Sequence, residues 1–315
     1  MTSLPRVARA AWITILSVLV WVAPGDAGTE APLRVAATIF PVADMVRNVG
    51  GDHVSVSVLL PAGASPHTFD PRPSQIRVLS EARLLFEIGA GLEPWADDLA
   101  RAAGSRDLTV VQLSEGIELL GLDAPQELAA DHDHPISHAN PHVWLDPVHT
   151  ISMVHRIAET LAEMDPAHAS SYFQNASRYM EELVGLHEEI RRTTAEFASR
   201  RYVAFHPAWA YFARRYGLEP AGIIEESPGR EPSPRHLQKI LRAIRSYDIG
   251  AVFAEPQLSS KAADVIAAEA GVEVVVLDPL GGEGLEGRAS YLALMRYNLS
   301  KMARALGRAR EPSGG

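Results

Sequence analysis

Between residues 165 and 198 the chain carries its most regular pattern, and that pattern narrows the folds open to it. Tyr172, Ala176, Tyr179, Leu183, Leu186, Ile190, Thr193 and Phe197 recur at alternating spacings of four and three, which lines them along one helix face. Asp165 and Pro166 supply an N-cap and a proline suited to the first helical position. No later proline interrupts the run, and Gly185 is its only glycine. The pattern predicts one helix of about 33 residues, roughly 50 Å long, which is longer than a small domain is wide. Such a helix either joins two bodies or pairs with a second copy. About four heptads with Ala, Tyr and Thr in the seam make a weak coiled coil. We therefore expect a monomer in which the helix packs along two lobes of one chain.

The flanking sequence supplies those lobes. Strand-like runs at 33–39, 54–60, 83–89 and 108–113 alternate with helical patterns at 41–50, 73–82 and 94–103. The alternation resumes after the long helix, with strands at 201–205, 218–224, 250–254 and 272–277 and a closing helix near 288–308. A β-α-β-α order implies parallel sheets covered by helices. The predicted fold is α/β: two lobes, 28–164 and 200–315, each a parallel-sheet α/β sandwich, bridged by one long rigid helix at 165–199. Apolar residues at 47% suffice for two cores. A polar segment, 121–141, breaks the first lobe and reads as a mobile loop.

The N-terminus reads as a secretory signal over residues 1–27. Arg6 and Arg9 precede an apolar run at 10–23, and Gly25-Asp26-Ala27 offers small residues for cleavage near Ala27. An uncleaved membrane anchor is the alternative. The chain has no cysteine, so disulfides, thiolate nucleophiles, Cys-type zinc sites and a lipid anchor near the cleavage point are all excluded. The expectation is an exported, periplasmic protein. A formal net charge of -10 argues against a nucleic-acid partner.

Three residues stand out by position. His67 follows strand 54–60, His206 follows strand 201–205, and Asp278 follows strand 272–277. Ligands of open α/β sheets bind beyond the carboxyl ends of strands. His142 adds a fourth, just before the apolar Val143-Trp144-Leu145. Three imidazoles and one carboxylate suit tetrahedral Zn²⁺, and so nitrogen-rich a set favours Zn²⁺ over Mn²⁺. Plainer readings stand beside this one. A lone His after a strand is often a loop residue, and Leu-Asp-Pro after a strand is often a turn whose Asp caps the chain. His53, His149, His155, His168, His187 and His236 read as surface residues, and Gly281–Gly284 as a flexible connection. His187-Glu188 lacks the second histidine of a metalloprotease helix.

Taken together, SPHTFDPRPSQ (65–75), NPHVWLDP (140–147), FHPAWAYFARRYGL (205–218), FAEPQLSS (253–260) and VLDPLGG (276–282) resemble the metal-binding solute-binding proteins of zinc and manganese ABC importers. The resemblance runs from about residue 33 to 305. It implies ligands at His67, His142, His206 and Asp278, with Zn²⁺ as transported cargo and a membrane ABC permease as partner. Manganese members usually carry glutamate where this chain has His206. Some zinc members place a glutamate directly before the first histidine, where this chain has Pro66, which adds weight to Asp278. Glu255 is expected as a supporting or surface contact. The segment with His132, His134 and His138 matches a zinc-member loop, either feeding metal to the cleft or serving as a tether. Uptake at limiting zinc after deletion of 131–138 separates the two. The resulting expectation is a zinc-binding transport subunit and not an enzyme. The alternatives are a manganese-binding subunit, a secreted zinc hydrolase and an adhesin on the same fold.

Overall fold

The computed structural model describes residues 31–121, 139–225, 232–259 and 261–307. The signal segment and the histidines at 132, 134 and 138 lie outside the described residues. In the first lobe β1 (Leu33–Ala37), β2 (Val54–Val58), β3 (Leu84–Glu87) and β4 (Thr109–Gln112) form a parallel sheet in the order β2-β1-β3-β4. In the second, β5 (Arg201–Ala204), β6 (Glu219–Ile223), β7 (Ala251–Ala254) and β8 (Glu273–Val276) repeat that plan as β6-β5-β7-β8. All eight strands fall where the apolar runs predict them, and each is shorter than its run. The surplus apolar residues, among them Ile39, Leu59, Leu60, Ile88 and Leu277, are buried beneath the loops instead of in the ladder.

Helices α1 (Phe40–Gly50), α2 (Pro73–Glu81), α3 (Ala96–Ala103) and α4 (Pro147–Met164) belong to the first lobe. After α5 (Ala169–Ala195) come α6 (Ala210–Tyr216), α7 (Pro234–Ser246), α8 (Lys261–Ala270) and α9 (Tyr291–Leu306). Side chains alternate across each sheet with the two-residue period of a strand. Val35 and Ala37 face the main core while Ala36 faces a smaller one with Leu79, Leu85 and Leu99. Tyr202 and Ala204 face the main core while Val203 faces Ile240, Ile244 and Val252. The main core is continuous through both lobes and contains Trp144, Tyr172, Leu183, Trp209, Phe253 and Tyr291.

The long helix is real but shorter than predicted, at 27 residues, about 40 Å. Asp165 does not cap it directly. The Asp165 carboxylate accepts from Tyr172 Oη at 2.6 Å and pairs with His168 Nδ1 at 2.7 Å. This sets Pro166–His168 as a separate 3₁₀ turn before α5 begins. The buried stripe also drifts, so that Thr194 rather than Thr193 is buried at its end. A straight helix has 3.6 residues per turn, and a strict 3.5-residue pattern slips off one face. The stripe is covered within the chain: α5 packs on α1 and α4 on one side and on α6 and α9 on the other.

Hydrogen bonds tie the lobes directly as well. Trp144 Nε1 donates to the Pro279 carbonyl at 2.8 Å, and Tyr291 Oη donates to the Trp144 carbonyl at 2.7 Å. Arg215 pairs with the Asp146 carboxylate at 2.7 Å. Asp146 in turn caps α4 through Val148 N–H.

Candidate metal centre

His67 lies on the loop between β2 and α2. That loop is held by one indole: Trp95 Nε1 donates to the Pro66 carbonyl at 2.8 Å, and the Trp95 ring meets Phe69 edge-on at 5.1 Å. His142 immediately precedes a 3₁₀ turn, Val143–Leu145, whose three side chains are all fully buried. His206 follows β5. The sequence order of the second sheet reverses between β5 and β7, which is where such sheets open a crevice for ligands. His206 and Glu255 are the residues that leave those two strands, and they are hydrogen-bonded to each other at 2.6 Å.

The three imidazoles converge through the same nitrogen. His142 Nε2 lies 3.2 Å from His67 Nε2 and 3.1 Å from His206 Nε2. Tetrahedral zinc bound at its usual Zn–N distance separates its nitrogens by roughly 3.3 Å. The tautomers follow from the other ring nitrogens. Asn140 Nδ2 donates to the Pro207 carbonyl at 2.8 Å, so Asn140 Oδ1 must be the atom facing His142 Nδ1 at 2.8 Å. Glu255 Oε1 faces His206 Nδ1. Both acceptors draw the proton to Nδ1 and leave the Nε2 lone pairs pointing at each other. Lone pairs at that spacing repel unless a cation lies among them.

Burial sets the charge state. It lowers the His67 pKa to about 4, with the nearby His206 adding to the effect. His142, which is buried more deeply, is pushed well below the ordinary histidine value by burial first and then by His206 and His67. Neutral imidazole is the metal-binding form. The site therefore holds its ligand form further into acid than the ordinary histidine range suggests. A linked prediction concerns the metal-free protein. Unfolded His67 takes its proton near 6.5 and folded His67 only near 4. Folding stability should therefore be undiminished by this group above about pH 6.5 and be lost progressively down to about pH 4. Denaturant unfolding across that window should show a slope that is shallower in His67→Gln. Equal slopes would show that His67 titrates normally.

Asp278 is a correction to the predicted ligand set. The cluster of potential ligand atoms within 4.8 Å of one another contains His67, His142 and His206 and does not extend to it. Its carboxylate is engaged elsewhere: Oδ1 accepts from Leu280 N–H, Gly281 N–H and Gln257 Nε2, and Oδ2 pairs with Arg288 Nη1. The plainer reading of Leu-Asp-Pro, a turn organiser, describes its place in the fold. The turn it organises is not a flexible connection either. Gly281 has φ of 64°, and a Cβ there would lie 2.7 Å from the Arg288 carbonyl oxygen.

Two sequence expectations about supporting residues also change. Glu255 is buried, with no surface role, and it orients His206. Asn140 does the same for His142 and was not singled out from the sequence, although Asn two residues before the histidine is a ready Nδ1 partner. Among the six histidines read as surface residues, only His155 is fully exposed. The others are half-buried: His187 meets Tyr216 Oη, His236 meets the Ile223 carbonyl, and His53 stacks on His168. Imidazole buries its ring while one nitrogen finds a partner.

The pocket at the three imidazoles is also lined by Ser65, Trp144, Glu255, Gln257 and Leu280, and its cavity is about 10 Å³. That is the scale of a single water or ion, far below the several hundred Å³ of organic-ligand sites.

Comparison with known proteins agrees with this geometry. A family model described as zinc-uptake complex component A, periplasmic, matches residues 35–305. Zinc-binding protein AdcA of Streptococcus pyogenes is 30% identical over 287 residues, 87% of this chain but 56% of its own length. This chain thus spans about half of that relative. The high-affinity zinc uptake system protein ZnuA of Bacillus subtilis is 30% identical, covering 87% of this chain and 88% of its own. The manganese-binding lipoprotein MntA of Halalkalibacterium halodurans is 28% identical over 93% of this chain and 97% of its own. A crystal structure of ZnuA superposes with a TM-score of 0.78 at 33% identity, covering 87% of this chain and 99% of that one.

Proposed function

The chain belongs to the zinc-uptake complex component A family, and from that premise we propose that it captures Zn²⁺ between its lobes and delivers it to a membrane ABC permease. The observation that carries this reading is the convergence of three Nε2 lone pairs, two of them with tautomers set by Asn140 and Glu255. No bond of a substrate is made or broken. Selection rests on coordination: three neutral imidazoles offer no carboxylate oxygen, which Mn²⁺ prefers and Zn²⁺ does not require.

A secreted zinc hydrolase was disfavoured on a four-ligand shell, and with three ligands that ground lapses. Others replace it. The cavity of about 10 Å³ does not admit an organic substrate. Among the described residues, the one carboxylate lining it, Glu255, is already bonded to His206, so no free general base faces the metal position.

Export follows the family's periplasmic setting, with residues 1–27 as the cleaved signal and no lipid anchor, and we propose that the chain acts as a monomer. Among the described residues no helix is long and apolar enough to cross a membrane. Release to the permease proceeds by small shifts at the cleft, since the lobes share α5, one apolar core and direct hydrogen bonds. Protein purified without added metal should carry close to one Zn²⁺ per chain. In competition Mn²⁺ should bind at least ~100-fold more weakly. Preferential retention of Mn²⁺ would favour the manganese reading instead.

A further inference from the structure

Three imidazoles satisfy three positions of tetrahedral zinc, and the fourth needs a donor that the histidine cluster does not supply. Two side chains lining the same cavity bear on what fills it. Ser65 Oγ and Gln257 Oε1 are both buried, and neither has a hydrogen-bond partner in the protein. Buried polar atoms left without partners are rare, and ordered water commonly accounts for them.

The direction of the Gln257 amide is set from behind. Its Nε2 donates to Asp278 Oδ1 at 2.7 Å, an oxygen that also accepts from two backbone N–H groups. A carboxylate oxygen so placed must face the amide's NH₂, which turns the amide's carbonyl oxygen away from Asp278. Asp278 is itself held by Arg288 through the other oxygen. A side chain predicted as a ligand thus reaches the cavity through a second residue.

We propose that Gln257 and Ser65 hold a water molecule that completes the coordination of the bound cation, and that Asp278 influences the metal by orienting Gln257. The inference rests on the metal-binding reading above. It makes Gln257 and Ser65 positioning residues and gives the site a fourth donor that is neutral and exchangeable. The complete donor set, three imidazoles and a water, then carries no negative charge, which deepens the discrimination against Mn²⁺.

Co²⁺ in place of Zn²⁺ makes the coordination visible. In wild type, azide should displace the water and change the Co²⁺ absorption bands. Gln257→Met removes the carbonyl acceptor at nearly constant volume and Ser65→Ala removes the hydroxyl. Each should lower Zn²⁺ affinity about 10-fold while the Co²⁺ bands keep their response to azide. Circular dichroism of both variants separates this from misfolding, and the two substitutions lie on different lobes, so one can report if the other fails. Wild-type bands indifferent to azide, or Zn²⁺ affinities within twofold of wild type in both variants, would overturn the inference while leaving the function intact. A wild-type chain that binds neither Zn²⁺ nor Co²⁺ would remove the functional reading and this inference with it.

Discussion

His142→Ala should weaken Zn²⁺ binding by at least ~100-fold, because His142 is the imidazole on which the other two converge. Its Nε2 lies within 3.2 Å of both partners, and the ring is almost completely buried and bonded through Nδ1 to Asn140. Four-donor zinc sites in small domains bind with roughly 10–16 kcal/mol, so one donor is worth on the order of 3 kcal/mol, and that is a factor of about 100 or more. The fold should survive the change. Trp144 keeps its bond to Pro279, Asn140 keeps its bond to Pro207, and the Val143–Leu145 turn stays buried. Chelator competition measures the affinity, and denaturant unfolding of metal-free protein checks the fold. His155→Ala, on an exposed helix face, is the matched control and should change neither. A loss of less than tenfold in His142→Ala would mean that the metal binds elsewhere.

The parts of this design that were legible in the sequence are those that repeat along it. Strands such as 251–254 and helices such as α5 announce themselves through apolar periodicity. His206 could be found because it directly follows a predicted strand. What was not legible depends on atoms meeting from different elements. Nothing near Asp278 in the sequence shows that Arg288, Gln257 and two backbone N–H groups will occupy its carboxylate, because those bonds exist only once the turn after β8 has closed. The family resemblance carried over a ligand position, but not the neighbours that decide whether it ligates. Asn140 was overlooked for a related reason. Its value lies in the two-residue reach back from His142 and in the bond across to Pro207, in the other lobe. The seam error at Thr193 is simpler. A pattern of fours and threes was extended one step too far along a helix whose true period is 3.6.

Asp278 yields the second large effect, and it should appear in stability before it appears in affinity. Asp278→Ala removes a nearly fully buried carboxylate that accepts from Gln257, Leu280 and Gly281 and pairs with Arg288 at 2.7 Å. The substitution strands an arginine whose Nε is already without a partner and leaves two backbone donors unmatched. Breaking a buried pair by removing one member costs about 3–5 kcal/mol, and since the Arg288 side chain retains 23% exposure, the lower end, about 3 kcal/mol, is expected. Urea unfolding of metal-free protein should show that loss. Zinc affinity should fall by only about tenfold, through the released Gln257 amide. The two measurements separate the two roles open to this residue. A turn organiser loses stability and keeps most of its metal. A ligand would do the reverse: the metal-free protein would be little affected and zinc binding would collapse as it does in His142→Ala. That second outcome would place Asp278 back in the coordination shell and require the loop from Asp278 to Arg288 to rearrange when metal binds.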